Sequence, residues 1–110
     1  MLMAKNDLQG ALDLLILKTL SQLSSMHGYG IVNHIRRVSD DRLIVEEGSL
    51  YPALHRMEQC GWVRSAWAIT DYGRKAKWYS LTRAGREQLA AREKNWEQVA
   101  KGVDAILRFA

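Results

Sequence analysis

The stretch from Gly48 to Trp62, GSLYPALHRMEQCGW, restricts what this chain can fold into more than any other. Wound as a helix from Ser49 to Cys60 at about 100° per residue, it sends Leu50, Ala53, Leu54 and Met57 to one side. Pro52, His55, Arg56 and Gln59 fall opposite, with Ser49 and Tyr51 flanking them. The back of such a helix must be covered by other elements. The front offers hydrogen-bond donors, an aromatic hydroxyl and a cation, but no long apolar group. A short helix of this kind fits the major groove of duplex DNA. Taken alone, such a helix is more often an ordinary surface helix with a solvated outer face, so the segments around it must decide.

The excess positive charge begins at this helix. Residues 1–48 hold five Lys and Arg against six Asp and Glu. Residues 49–81 hold five against two, and residues 82–110 hold six against four. The whole chain carries a formal net charge of +4, which favours polyanions without requiring one. Its 110 residues make one domain, or one small domain with an appendage. With 47% hydrophobic and 25% charged residues, the mix supports a core and is not that of a disordered tail. The one cysteine, Cys60, excludes an intrachain disulfide and suits a reducing compartment. The apolar run Leu12–Leu20, LDLLILKTL, is broken by Asp13 and Lys18 and is too short to span a bilayer. The opening residues, MLMAKND, lack the layout of a signal peptide. A cytoplasmic protein without a membrane segment is expected.

Periodicity places the remaining elements. Leu12, Leu15, Ile16, Leu20 and Leu23 mark an amphipathic helix over about Gly10–Leu23, ended by the turn-prone Ser24–Gly28. Ile31, Ile35 and Val38 line the inner side of a second helix, Gly28–Val38, with Val32 broadening it. Ser39–Asp41 reads as a loop and Leu43–Val45 as a short β-rich piece. Pro52 is expected in the first turn of the third helix, and Gly61 at its end. The pattern then changes to aromatic and β-branched residues over Trp62–Ile69 and again over Lys77–Leu81. Between them, TDYGRKA supplies turn residues and cations, which predicts a β-hairpin with a basic tip. Thr82 caps a long helix running to near Phe109. Leu89, Trp96, Val99, Val103, Ile106 and Ala110 form one stripe on it, a seam of about two heptads from Trp96 onwards. The order is that of a winged helix-turn-helix: mainly α with a small β-hairpin. The DNA-binding unit is assigned to residues 1–81 and a C-terminal dimerisation helix to residues 82–110.

Four stretches also resemble the signatures of PadR-family transcriptional regulators. They are LDLLILKTL (Leu12–Leu20), HGYGI (His27–Ile31), EEGSLYPALHRME (Glu46–Glu58) and RKAKWYSLT (Arg74–Thr82), and their spacing fits as well. The third is the most specific, and the resemblance covers nearly the whole chain. It implies a homodimeric DNA-binding repressor, often of nearby efflux, detoxification or stress genes. The single helix after the hairpin resembles the short branch of that family, which lacks a longer C-terminal domain. Regulators of this branch bind, in some cases, a flat aromatic effector between facing aromatics at the dimer interface.

Site residues are weighed against duller roles. Ser49, Tyr51, Pro52, His55 and Arg56 match the groove-facing motif, with Arg56 the candidate reader of guanine. Ser49 alternatively caps the helix, and Tyr51 alternatively edges the core. Arg74, Lys75 and Lys77 are candidate phosphate clamps, against the common case of a solvated hairpin tip. Tyr29 reaches a phosphate or packs on the third helix, and Lys5 is a further candidate DNA contact. Leu89, Trp96, Val99, Val103 and Ile106 are the expected dimer interface. Trp96 is a dimer anchor on its own chemistry and an effector contact only by resemblance. Trp62, Trp67 and Trp78 read as hairpin packing. His27, His34 and Cys60 do not share metal-ligand spacing, and neither metal nor other cofactor is expected. No nucleophile elbow, phosphate loop or carboxylate pair supports an enzyme. The rivals left open are a winged helix reduced to protein interaction, a nonspecific nucleic-acid binder and, last, a small enzyme.

Overall fold

A computed structural model describes the backbone of residues 5–109 and the side chains of residues 10–109. The element order is α1 (Lys5–Leu23), β1 (Met26–His27), α2 (Gly28–Val38), α3 (Glu47–Gln59), β2 (Val63–Ile69), β3 (Lys75–Leu81) and α4 (Arg83–Arg108). This is a mainly helical chain with a small antiparallel sheet, in winged helix-turn-helix order. One core joins α1 (Ile16, Leu17, Leu20), α2 (Ile31, Ile35), α3 (Leu50, Ala53, Leu54, Met57), the sheet (Val63, Tyr79, Leu81) and the start of α4 (Leu89). Each helical set recurs at three- and four-residue steps, so burial follows from the helical period alone. Caps set the ends. His27 Nδ1 accepts from the Gly30 amide at 3.0 Å, and Thr82 Oγ1 accepts from the Gly85 amide at 3.1 Å.

Several boundaries differ from expectation. Helix α3 starts at Glu47, so Pro52 lies in its second turn, where it removes the bond that would go to the Gly48 carbonyl. Gly48 is exposed, which lets water take that carbonyl. Strand β3 begins at Lys75, two residues before the expected start at Lys77, so the tip cation Lys75 stands on a strand. Residues 43–46 form no strand. The second edge of β3 is occupied instead by β1, with Met26 opposite Tyr79 and His27 opposite Trp78. Where a turn was expected, the chain thus makes a two-residue strand before entering α2.

Two assignments of apolar residues are corrected. Leu89 is 7% exposed within a single chain and belongs to the core, not to a dimer seam. Its step from Trp96 is seven residues, but the helix leaves the domain between them. Trp67 is not hairpin packing: it stands on the outer half of β2 and is 62% exposed, because the sheet there extends past the core that covers Val63.

Helix α4 sets the shape. Its first turns are docked, Gly85 and Leu89 being buried, and the remainder projects. The molecule measures 56 × 29 × 23 Å with a radius of gyration of 15.1 Å. A compact chain of this length would have a radius of about 13 Å. Along the projecting part, Trp96, Val103, Ile106, Leu107 and Phe109 are exposed and Val99 is half-buried. No described helix is long and apolar enough to cross a membrane.

Candidate nucleic-acid interface

Burial of Leu50, Ala53, Leu54 and Met57 turns the opposite side of α3 outward. Ser49, Pro52, His55 and Gln59 are all exposed there. Ser49 does not cap the helix. The cap position is Glu46, which makes no side-chain cap bond, and Ser49 sits a turn further in. Its hydroxyl is therefore left on the surface. Tyr51 occupies the flank nearest α2 and is 44% exposed. A Cβ at Gly28 would lie 2.7 Å from the Tyr51 ring and hydroxyl, so only glycine allows α2 to start this close to α3. The next residue, Tyr29, is exposed on the same side.

The wing reaches the same place from the other direction. Strands β2 and β3 pair with Val63 opposite Leu81, Ser65 opposite Tyr79, Trp67 opposite Lys77 and Ile69 opposite Lys75. Directly opposed residues share a face. The face that is core at Val63 and Leu81 therefore becomes, two pairs out, a surface of Trp67, Lys77, Ile69 and Lys75. The turn beyond is closed by the Thr70 amide on the Arg74 carbonyl at 2.7 Å and the Gly73 amide on the Thr70 carbonyl at 2.9 Å. Gly73 adopts φ +78°, which a side chain would resist. Between wing, α2 and α3 lies a cleft of about 780 Å³ whose lining includes Tyr29, Tyr51, Trp67, Arg74, Lys75 and Lys77.

The electrostatics of that cleft are uneven. Lys77 Nζ lies 3.4 Å from Glu58 Oε1 on α3, and Ser65 Oγ donates to the other oxygen at 2.6 Å. The Ser65 bond, then Lys77, hold the Glu58 carboxyl below its ordinary range. Lys77 thus braces the wing on α3, and its charge is already answered by Glu58, which corrects its expected role as a phosphate clamp. Lys75 Nζ stands 5.8 Å from the Trp67 ring centre. Arg74 and Lys75 have no carboxylate partner among the described residues. Burial, then Glu47, raises the Tyr51 hydroxyl above its usual range. Burial, then Glu58 and Tyr51, does the same for Tyr79. Tyr51 therefore stays a neutral donor. The cleft can offer two cations and phenolic donors to an anion, with the Glu47 carboxylate at one margin.

Arg56 is corrected. It does not lie on the front of α3. Its Nη2 donates to Asp13 Oδ1 at 2.7 Å and its Nη1 to Oδ2 at 2.9 Å. The Asp13 bond raises the guanidinium pKa further still. The reason is tertiary: Arg56 lies on the flank of the polar side, about 70° from its centre, and that flank meets the buried Asp13 carboxylate of α1. The side chain of Lys5 lies outside the described residues. Tyr72, in the wing turn, is exposed beside Arg74 and escaped sequence reading, although its place between Asp71 and Gly73 marks it as a turn-tip residue. Asp13 was legible only as an interruption of an apolar run.

Comparison with known proteins identifies the family and the fold. The family model for the transcriptional regulator PadR-like family matches residues 16–91. The chain is 35% identical over 100 residues to the transcriptional regulator Rv3488 of Mycobacterium tuberculosis, spanning 91% of this chain and 73% of that protein. It superposes on a PadR-like transcriptional regulator from Bacillus cereus with a TM-score of 0.75 and 29% identity, each chain covered in full. A PadR family transcription regulator from Clostridium difficile gives a TM-score of 0.73 at 28% identity, over 87% of this chain and 97% of the other. These relatives are transcriptional regulators.

Proposed function

This chain belongs to the transcriptional regulator PadR-like family, and from that premise we propose that it is a sequence-specific repressor that binds duplex DNA as a homodimer in the cytoplasm. The observation that carries the reading is the cleft in which Arg74 and Lys75 face Tyr29 and Tyr51 beside the exposed front of α3. Ser49, Pro52 and His55 enter the major groove, with Tyr51 at its margin. Arg74 and Lys75 clamp the flanking phosphates, and Tyr29 donates to the same backbone. Half-sites of a near-palindromic operator then lie about one helical turn, ~10 bp, apart. Residues 1–81 supply the DNA-binding unit, and residues 82–110 the dimerising helix. Trp96, Val99, Val103 and Ile106 form the seam that holds the two α3 helices at this spacing. A small aromatic effector seated between the paired Trp96 side chains relieves repression, provided it binds one protomer arrangement more tightly than the other.

Selection of bound duplexes from a random pool, followed by sequencing, tests the reading. A two-fold symmetric consensus with the stated spacing is expected. Absence of any consensus together with salt-independent binding would favour a protein-interaction module instead. The wing has its own test. Changing Arg74 and Lys75 together to Ala should weaken binding to every duplex and reduce the log–log salt slope by about 1.8 per protomer. An unchanged slope removes the wing from the phosphates.

A further inference from the structure

Arg56 is held by a buried carboxylate of α1 and does not stand on the front of α3. Asp13 is 3% exposed, a carboxylate set inside the apolar face of α1. Arg56 from α3 grips both its oxygens at 2.7 and 2.9 Å. Arg92 from α4 approaches the same carboxylate, Nη1 to Oδ2, at 3.7 Å. The Arg92 guanidinium also lies 5.0 Å from the Trp62 ring centre. Trp62 is itself fixed at both main-chain ends. Its amide donates to the Met57 carbonyl at the end of α3 at 2.9 Å, and its carbonyl accepts from the Thr82 amide at the start of α4 at 3.1 Å.

We propose that Asp13 is a positioning residue for DNA recognition: it locks the rotation of α3 about its own axis and ties that rotation to α4. The inference rests on the DNA-binding reading above. Apolar packing of Leu50, Leu54 and Met57 is non-directional and tolerates small rotations of a helix in its groove. A bidentate arginine–carboxylate pair does not, because its two parallel bonds fix the guanidinium plane. Side-chain tips on a helix lie about 5 Å from its axis, so a 10° turn of α3 would move the groove-facing groups by about 1 Å. That displacement is enough to spoil a hydrogen bond to a base edge. It would scarcely affect attraction of the wing cations to phosphate, which falls off slowly with distance. The signature of the role is therefore loss of discrimination without loss of general affinity.

The experiment measures affinity for the selected operator and for a scrambled duplex of equal length, at several salt concentrations. Asp13→Asn keeps shape and removes the charge. Arg56→Lys keeps the charge and removes the fork. Both should lower the operator-to-scrambled ratio by about tenfold or more, the scale of one good base contact. Affinity for the scrambled duplex should stay within about twofold, since the phosphate contacts remain. Leu20→Ala, a core truncation in the same helix with no part in the site, lowers melting temperature but should keep the wild-type ratio. Arg92→Met retains the Asp13–Arg56 pair and should reduce discrimination between correct and altered half-site spacings. If Asp13→Asn does not fold, Arg56→Lys decides. An unchanged ratio in Arg56→Lys overturns the inference, and so does an equal loss in Leu20→Ala. If the wild-type protein has no operator preference, the DNA-binding reading itself fails and takes this inference with it.

Discussion

Gly85→Ala is expected to lower stability by more than about 3 kcal/mol, because a Cβ at this position would overlap the Trp62 carbonyl oxygen. The same Cβ would stand 3.0 Å from Leu81 Cδ2 and from the Trp62 carbonyl carbon. Two of these three atoms are backbone and the third belongs to a buried core side chain, so none can swing aside. The Trp62 carbonyl also accepts the Thr82 amide at 3.1 Å, and the only relief is to lift the first turn of α4 away from the end of α3. Thermal unfolding reads the result, at roughly 4 °C per kcal/mol for a domain of this size. Gly102→Ala is the internal comparison. Gly102 is an exposed helical residue with nothing within 4 Å of an added Cβ, and alanine there should stabilise by up to about 1 kcal/mol. A Gly85→Ala protein melting with the wild type would mean that α4 does not dock through Gly85.

Trp96→Asp is expected to weaken the proposed dimer by about a hundredfold or more, the usual consequence of losing a central aromatic anchor. Trp96 is 49% exposed on the part of α4 that leaves the domain. It begins the run of Val99, Val103 and Ile106 at three-, four- and three-residue steps, with Leu107 and Phe109 also exposed nearby. A monomeric projection would leave these apolar side chains uncovered in water. In the proposed dimer a two-fold seam would cover them, and the variant would bring two aspartates together there. Sedimentation should show monomers at concentrations where the wild type is paired. Operator affinity should fall to that of a single half-site, while melting of the docked core stays close to wild type. An intact dimer would take Trp96 out of the seam.

The helices were legible because each is written in neighbours one turn away. Leu50, Ala53, Leu54 and Met57 define the buried side of α3 without reference to any other element, and the structure buries all four. Thr82 likewise announces α4 through a bond to Gly85, three residues on. The wing was visible in the change of period and in the turn residues around Gly73. Strand β1 was not, because two residues are too few for any period and their only support is β3, some fifty residues later.

The site divides along the same line. Residue types on the front of α3 and in the wing follow from the chain itself, since helical phase and strand alternation need no knowledge of tertiary contacts. Which cations remain available for a polyanion does not. Arg56 was assigned to the front from phase alone, yet its partner Asp13 lies 43 residues away, and Lys77 is claimed by Glu58 at a separation of 19. Leu89 and Trp96 share a stripe on one helix, but only the packing of α1 and the sheet decides that the first is core and the second surface. Local period and capping are short-range and read directly from order along the chain. Pairing of charges and the point where a helix leaves its domain depend on which distant segments the core draws together, and only the folded arrangement decides those.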